Sequence, residues 1–174
     1  PGWEAIAQHR SKAGDRAERG GGVALLFRRS GVQVKVVQGV GRRAGSEEGD
    51  KMEWIWGVIG GEGGSVYVCC VYAPPICVGT PFAQLLGESV ALSERAGTVG
   101  VLICGDLNTE LLSREETRVA GAVSSAGRRG EIRRLFLEAT TKDDVNLTVL
   151  NRRHLTWTHS VRGTNSILDY ALWL

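Results

Sequence analysis

The chain has 174 residues, with 21 basic and 19 acidic side chains and a formal net charge of +2. That length suits one domain with a real core, and 43% hydrophobic with 23% charged residues excludes a disordered, collagen-like or coiled-coil chain. No apolar run approaches the roughly 20 residues of a membrane-spanning helix, and the opening Pro1-Gly2-Trp3-Glu4 has neither an initiator Met nor a charged-then-apolar leader, so it reads as an internal segment of something longer.

In chain order, residues 1–19 are polar and charged and read as a loop-like start. Gly20-Gly21-Gly22 opens Val23–Phe27, a short apolar run expected as a buried strand. Val32, Val34 and Val36 alternate with Gln33 and Lys35, a half-buried strand, and Ser30-Gly31 between the two runs has the composition of a hairpin turn. Residues 39–51 are rich in glycine and charge and read as a loop. Glu53–Ile59 and Val66–Tyr72 are two further strands around a glycine-rich turn at 60–64, which extends the reading to an antiparallel meander. Ala73-Pro74-Pro75 ends the last strand. Thr80-Pro81 supplies an N-cap and a proline at the first helical position, Phe82, Leu85, Leu86 and Val90 follow at helical spacing, and Gly97 is a stop. Val99–Cys104 is a continuous apolar run and reads as a core strand. Ile132, Leu135, Phe136 and Ala139 fall at i, i+3, i+4 and i+7 of an amphipathic helix. Residues 145–150, 156–158 and 167–173 are the remaining strand candidates. Strands outnumber two late, interspersed helices, so the class is α/β or α+β with a mixed sheet.

Several features carry little weight. Cys69, Cys70, Cys77 and Cys104 form no C-x-x-C pair, and three of them sit in strand-like runs as small buried hydrophobes. Reduced thiols fit a nuclear or cytosolic setting, not a secreted one. Gly39-Val40-Gly41-Arg42-Arg43-Ala44 fits G-x-G-x-x-A, but the acidic, glycine-broken stretch after it offers no helix N-terminus for a pyrophosphate. Asn146-Leu147-Thr148 is read as a chance sequon. Arginine outnumbers lysine 17 to 4, and five Arg-Arg doublets occur. On one face they would form a phosphate-binding stripe; scattered, they are ordinary solvated arginines.

The informative segment is Gly105-Asp106-Leu107-Asn108. A buried strand runs out through a glycine and presents a carboxylate and a carboxamide on one side, two residues apart. A carboxylate that orients or deprotonates a water, beside an amide that donates to a phosphoryl oxygen, suits hydrolysis of a phosphate ester. The same four residues also open plain turns, because Asp and Asn bond their own backbone. The second segment is Thr156-Trp157-Thr158-His159, then a hairpin tip over 160–165, then Ser166-Ile167-Leu168-Asp169-Tyr170. Asp169 interrupts an apolar strand. A buried carboxylate there needs a partner, either an imidazole whose tautomer it fixes or an arginine or turn.

Taken in order, Gly20-Gly21-Gly22-Val23-Ala24, Val71-Tyr72-Ala73-Pro74, Gly105-Asp106-Leu107-Asn108, Thr156-Trp157 and Ser166-Ile167-Leu168-Asp169-Tyr170 resemble the endonuclease/exonuclease/phosphatase superfamily. Within it the chain is most similar to the apurinic-type endonuclease domain of non-LTR retrotransposons, from about Gly20 to Leu174. The resemblance implies a four-layer α/β sandwich of the DNase I-like type, with two packed mixed sheets, and Mg²⁺-dependent phosphodiester cleavage of DNA. It implies that Asp106 positions or activates the attacking water, Asn108 holds the scissile phosphate, Tyr72 contacts the phosphate through its hydroxyl, and Asp169 orients a catalytic histidine. The hairpin carrying His159, Arg162, Thr164 and Asn165 would reach into a DNA groove, with Arg162 as the minor-groove reader. These catalytic residues are expected to converge at the rim of two facing sheets.

Two parts of the family pattern are missing. The opening strands, whose Gln-Glu supplies the chief Mg²⁺ ligand, have no match, since Glu4 and Glu18 end no apolar strand. The closing Ser-Asp-His also has no match, and His9, His154 and His159 read as surface histidines. The expectation is therefore one incomplete domain over 1–174, with no metal ligand set of its own and negligible activity alone. In this reading it belongs to a longer polyprotein with a reverse transcriptase. The alternatives are another hydrolase of the superfamily, such as a phosphoinositide phosphatase or sphingomyelinase-like enzyme, and a non-catalytic nucleic-acid-binding relic.

Overall fold

The computed structural model describes residues 2–9, 22–28, 34–37, 52–75, 79–109, 111, 128–141, 147–150, 159–161, 164–166 and 169–174. They form strands β1 (Trp3–His9), β2 (Gly22–Arg28), β3 (Val34–Val36), β4 (Glu53–Gly61) and β5 (Gly64–Tyr72), helix α1 (Gly79–Ser93), β6 (Thr98–Asp106), α2 (Arg128–Thr141), β7 (Thr148–Val149), β8 (His159–Val161), β9 (Thr164–Ser166) and β10 (Asp169–Trp173).

The principal sheet has six strands in the order β3-β4-β5-β6-β10-β7. Its neighbours are antiparallel except β5 and β6, which run parallel. A parallel pair needs a crossover, and α1 supplies it between those two strands. Alternation divides each strand between two environments. Trp54 and Trp56 of β4, Tyr67, Cys69 and Val71 of β5, Val101 and Ile103 of β6, and Tyr170 and Leu172 of β10 are buried in one core with Phe82 and Leu85 of α1 and Ile132 and Phe136 of α2. The opposite face meets β2: a Cβ at Gly57 would lie 3.0 Å from Leu25 Cδ1. The layers are thus a β1–β2 sheet, the six-stranded sheet and a helical layer.

This is the expected α/β sandwich in incomplete form. The second helical layer has no counterpart among the described residues. The smaller sheet is a purely antiparallel pair, not a mixed sheet.

Two sequence expectations are corrected. The start is not all loop, because Trp3–His9 is a strand paired along its length with β2, from Trp3 opposite Arg28 to His9 opposite Gly22. Its polarity hid the alternation of Ile6, half-buried, between exposed Ala5 and Ala7. The hairpin expected over Ser30-Gly31 also does not form. β2 pairs with β1 while β3 pairs with β4, so the chain changes sheets between them. Residues 29–33, the G-x-G-x-x-A stretch and the Thr156–Thr158 strand lie outside the described residues. Helix α1 begins at Gly79, one residue before the expected cap. Gly79 N–H donates to the Glu131 carboxylate at 2.9 Å, so a side chain from α2 satisfies an orphan donor at this end.

Glu88 on α1 pins the helical layer to the sheet. Its Oε2 accepts from the indole N–H of Trp54 at 2.7 Å and of Trp56 at 2.9 Å, and both indoles are fully buried. Level with Trp54 across the sheet, Gly105 has φ +149° and its would-be Cβ lies 1.9 Å from the Val71 carbonyl oxygen. No side chain fits there without moving β5 off β6.

Two predictions follow from these contacts. Glu88→Ala strands two buried donors and should lower unfolding stability by about 2–4 kcal/mol, while Glu88→Gln, which keeps an acceptor, should lose less than half of that. Urea unfolding followed by tryptophan emission measures both. Gly105→Ala should cost about 2–5 kcal/mol through strain and displacement of β5, and equal midpoints for the variant and the parent would refute the close-approach account.

Candidate active site

The C-terminal ends of β5 and β6 reach the same level of the sheet, where β4 and β10 both begin. Pairing is in register across all four strands: Glu53 lies opposite Tyr72, Tyr72 beside Asp106, and Asp106 opposite Asp169. Paired residues project to the same face. At a strand spacing of about 4.8 Å, the row of four spans roughly 14 Å. Glu53 is buried, Tyr72 and Asp106 are half-buried, and Asp169 is exposed.

Asp106 is the most tightly held of the four by its own segment. Its Oδ1 accepts the backbone N–H of Asn108 at 2.8 Å, and its Oδ2 accepts the Asn108 side-chain amide at 3.0 Å. Asn108 takes the left-handed conformation, φ 46°, which Asn tolerates and which closes the turn. The same amide nitrogen also donates to the Ala73 carbonyl at 2.9 Å, while Ala73 N–H donates to the Asp106 carbonyl at 2.8 Å. The turn after β6 is therefore stitched to the turn after β5, and the carboxylate is fixed between them. Leu107, Thr109 and Leu111 are buried beneath it, and Leu111 N–H donates to the Tyr170 hydroxyl at 2.8 Å.

This geometry changes what Asn108 offers. Carboxylate and carbonyl partners are both acceptors, so the amide orientation is fixed with nitrogen toward them. Both amide hydrogens are engaged, and the group left to meet a ligand is the carbonyl oxygen. That oxygen accepts a hydrogen bond and cannot donate to a phosphoryl oxygen. As arranged here, Asn108 holds Asp106 and leaves no donor for the phosphate expected from the sequence.

Tyr72, Asp106, Asn108 and Asp169 are thus brought to one place. Asp169 differs from its expectation in one respect. It is exposed, not buried, because it is the first residue of β10 and stands where the sheet meets solvent. Of the residues expected to reach a DNA groove, His159, Thr164 and Asn165 lie on the β8–β9 hairpin, with His159 opposite Ser166 and Ser160 opposite Asn165. Arg162 falls outside the described residues. Two residues separate Ser166 from Asp169, so the hairpin base stands within about 11 Å of the row.

Glu53 was not singled out from the sequence. Its carboxylate accepts the backbone N–H of Gly22 at 3.0 Å, tying the start of β2 to the row. The sequence held a clue in the turn: with Gly61 opposite Gly64, Glu53 falls opposite Tyr72. Four glycines within 60–64 left that register open by one residue, and a slip of one moves every side chain to the other face.

The described residues do not assemble a magnesium site. Among the described residues there is no group of three or more His, Cys, Asp or Glu placed to hold a metal. Asp106 and Asp169 are neighbours, but Glu53 is two strands from Asp106, roughly 10 Å. Glu4 pairs with Phe27, five residues along β2 from the Gly22 contact, so it cannot supply a ligand at the row. Glu18 lies outside the described residues.

No protein-family model matches the sequence, and no curated protein matches it. Solved structures do. The endonuclease domain of TRAS1, a telomere-specific non-LTR retrotransposon, superposes with a TM-score of 0.60 at 12% identity, over 98% of this chain and 66% of that one. The human Nocturnin catalytic domain gives 0.55 at 13% identity, over 98% and 60%, and a humanized D. rerio TDP2 gives 0.50 at 11% identity, over 98% and 60%. The chain spans three-fifths to two-thirds of the length of these structures. Its described elements therefore carry, in incomplete form, the DNase I-like α/β fold of the endonuclease/exonuclease/phosphatase proteins.

Proposed function

We propose that this chain is part of a phosphodiester-hydrolase domain of the endonuclease/exonuclease/phosphatase superfamily, of the kind that nicks DNA for a non-LTR retrotransposon. The observation that carries the reading is the in-register row of Tyr72, Asp106 and Asp169, with Asp106 locked by Asn108. A carboxylate with a fixed orientation can align a water and accept its proton as the water attacks phosphorus. The Tyr72 hydroxyl is a donor one strand away, suited to a phosphoryl oxygen. In this reading Asn108 acts through Asp106 and is a positioning residue. The β8–β9 hairpin stands beside the row and would meet the DNA. The likeness to the TRAS1 domain supports a DNA substrate over a small phosphorylated headgroup.

The resemblance implies Mg²⁺, which supplies charge neutralisation to such chemistry when bound. The described residues do not form its site. Loss of one member of a cooperating catalytic set lowers rates by orders of magnitude, so this chain alone should cleave DNA negligibly.

Nicking of supercoiled plasmid in Mg²⁺ tests this. The expected result is cleavage several orders of magnitude below ordinary turnover of about 1–10³ s⁻¹, together with salt-sensitive DNA binding that Arg162→Ala weakens severalfold. Ordinary turnover by the chain alone would overturn the account of its incomplete site. DNA binding no stronger than that of a neutral control, with hydrolysis of an inositol phosphate instead, would overturn the substrate.

A further inference from the structure

Cys70 and Cys104 are register partners on the parallel strands β5 and β6. Each precedes a member of the candidate site by two residues, Tyr72 and Asp106 respectively, and so shares its face. Neighbouring strands place paired Cα atoms about 4.8 Å apart, within the roughly 4.4–6.8 Å seen across disulfides. Both side chains are half-buried, whereas Cys69 is fully buried. Cys69 belongs to the core on the helical face, so it cannot reach either thiol. The Cys70 sulfur lies within hydrogen-bonding reach of the backbone of Ala24, which places the pair on the face turned toward β2.

We propose that Cys70 and Cys104 are a redox-active dithiol that closes to an intramolecular disulfide across β5 and β6, with a hydroperoxide as oxidant. One sulfur attacks the peroxide, the O–O bond breaks, and a sulfenic acid and one water (or alcohol) result. The second sulfur attacks the sulfenic sulfur, the S–O bond breaks, the S–S bond forms, and the departing oxygen leaves as water with the second thiol proton. Two electrons pass from the dithiol to the peroxide. Burial pushes both thiols above their ordinary pKa, and Cys104 is raised further by the neighbouring Cys70. The resting thiols are accordingly protonated at neutral pH. Closure draws the two Cβ atoms to about 3.8 Å and pulls β5 toward β6 directly below Tyr72 and Asp106. The inference stands on pairing and exposure and does not depend on the hydrolase reading.

The test uses the full chain and hydrogen peroxide, with free thiols counted after denaturation. The four cysteines should fall to two titratable thiols in a monomer lighter by two hydrogens, and dithiothreitol should restore all four. A Cys69→Ser/Cys77→Ser double variant should go from two thiols to none, while adding Cys70→Ser or Cys104→Ser should prevent closure. In the parent chain, which needs no variant to fold, tryptic peptides Met52–Arg95 and Ala96–Arg114 should be recovered joined, with fragmentation assigning the bond to Cys70. Retention of four thiols, a bond through Cys69 or Cys77, or a bond between two chains would overturn the proposal.

Discussion

The end of β6 rests on one close approach. Gly105 lies beside Val71 in the parallel pair, with the Val71 carbonyl where a side chain would start. The missing Cβ lets β6 run flush to the end of β5. Asp106 and Tyr72 then stand level, and the two following turns come within hydrogen-bonding reach. The bonds between Ala73, Asp106 and Asn108 require that proximity. The Asp106 carboxylate is therefore positioned by backbone packing first and by its amide partner second.

Two carboxylates, Glu88 half-buried and Glu53 buried, connect the layers. Glu88 joins the helical layer to β4 through two indoles, and Glu53 joins β2 to the same strand through Gly22. The two carboxylates act on opposite faces of one strand. Each is worth most where water is excluded, because a partner lost there is not replaced by solvent. β4 contributes no nucleophile or base to the candidate site in this reading, yet one of its faces carries the end of the row and the other holds the helical layer.

The elements with continuous apolar runs or clear periodicity were legible in the sequence: Val99–Cys104 within β6, Val66–Tyr72 within β5, and both helices. The order of short motifs was enough to reach the fold class. What was not legible depends on non-local choices. Ser30-Gly31 has turn composition, but whether two strands flanking a turn pair with each other depends on which sheet each one completes, and β2 found β1. The strand at 3–9 carries only Ile6 as an aliphatic of any size on its inward side, too little to stand out. Glu53 required the hairpin register, which the glycines around 60–64 blurred. The engagement of both Asn108 hydrogens depends on Ala73, 35 residues away, which no local pattern encodes.

The outer face of the β1–β2 pair shows Trp3 and Leu26 to solvent at 65% and 67% of their full exposure. Side chains of this kind contribute about 1.5–3 kcal/mol each when shielded, so the two together forgo about 2–4 kcal/mol here. A small domain folds with a margin of only 5–15 kcal/mol. Covering this face would accordingly add stability comparable to a sizeable share of the whole folding margin.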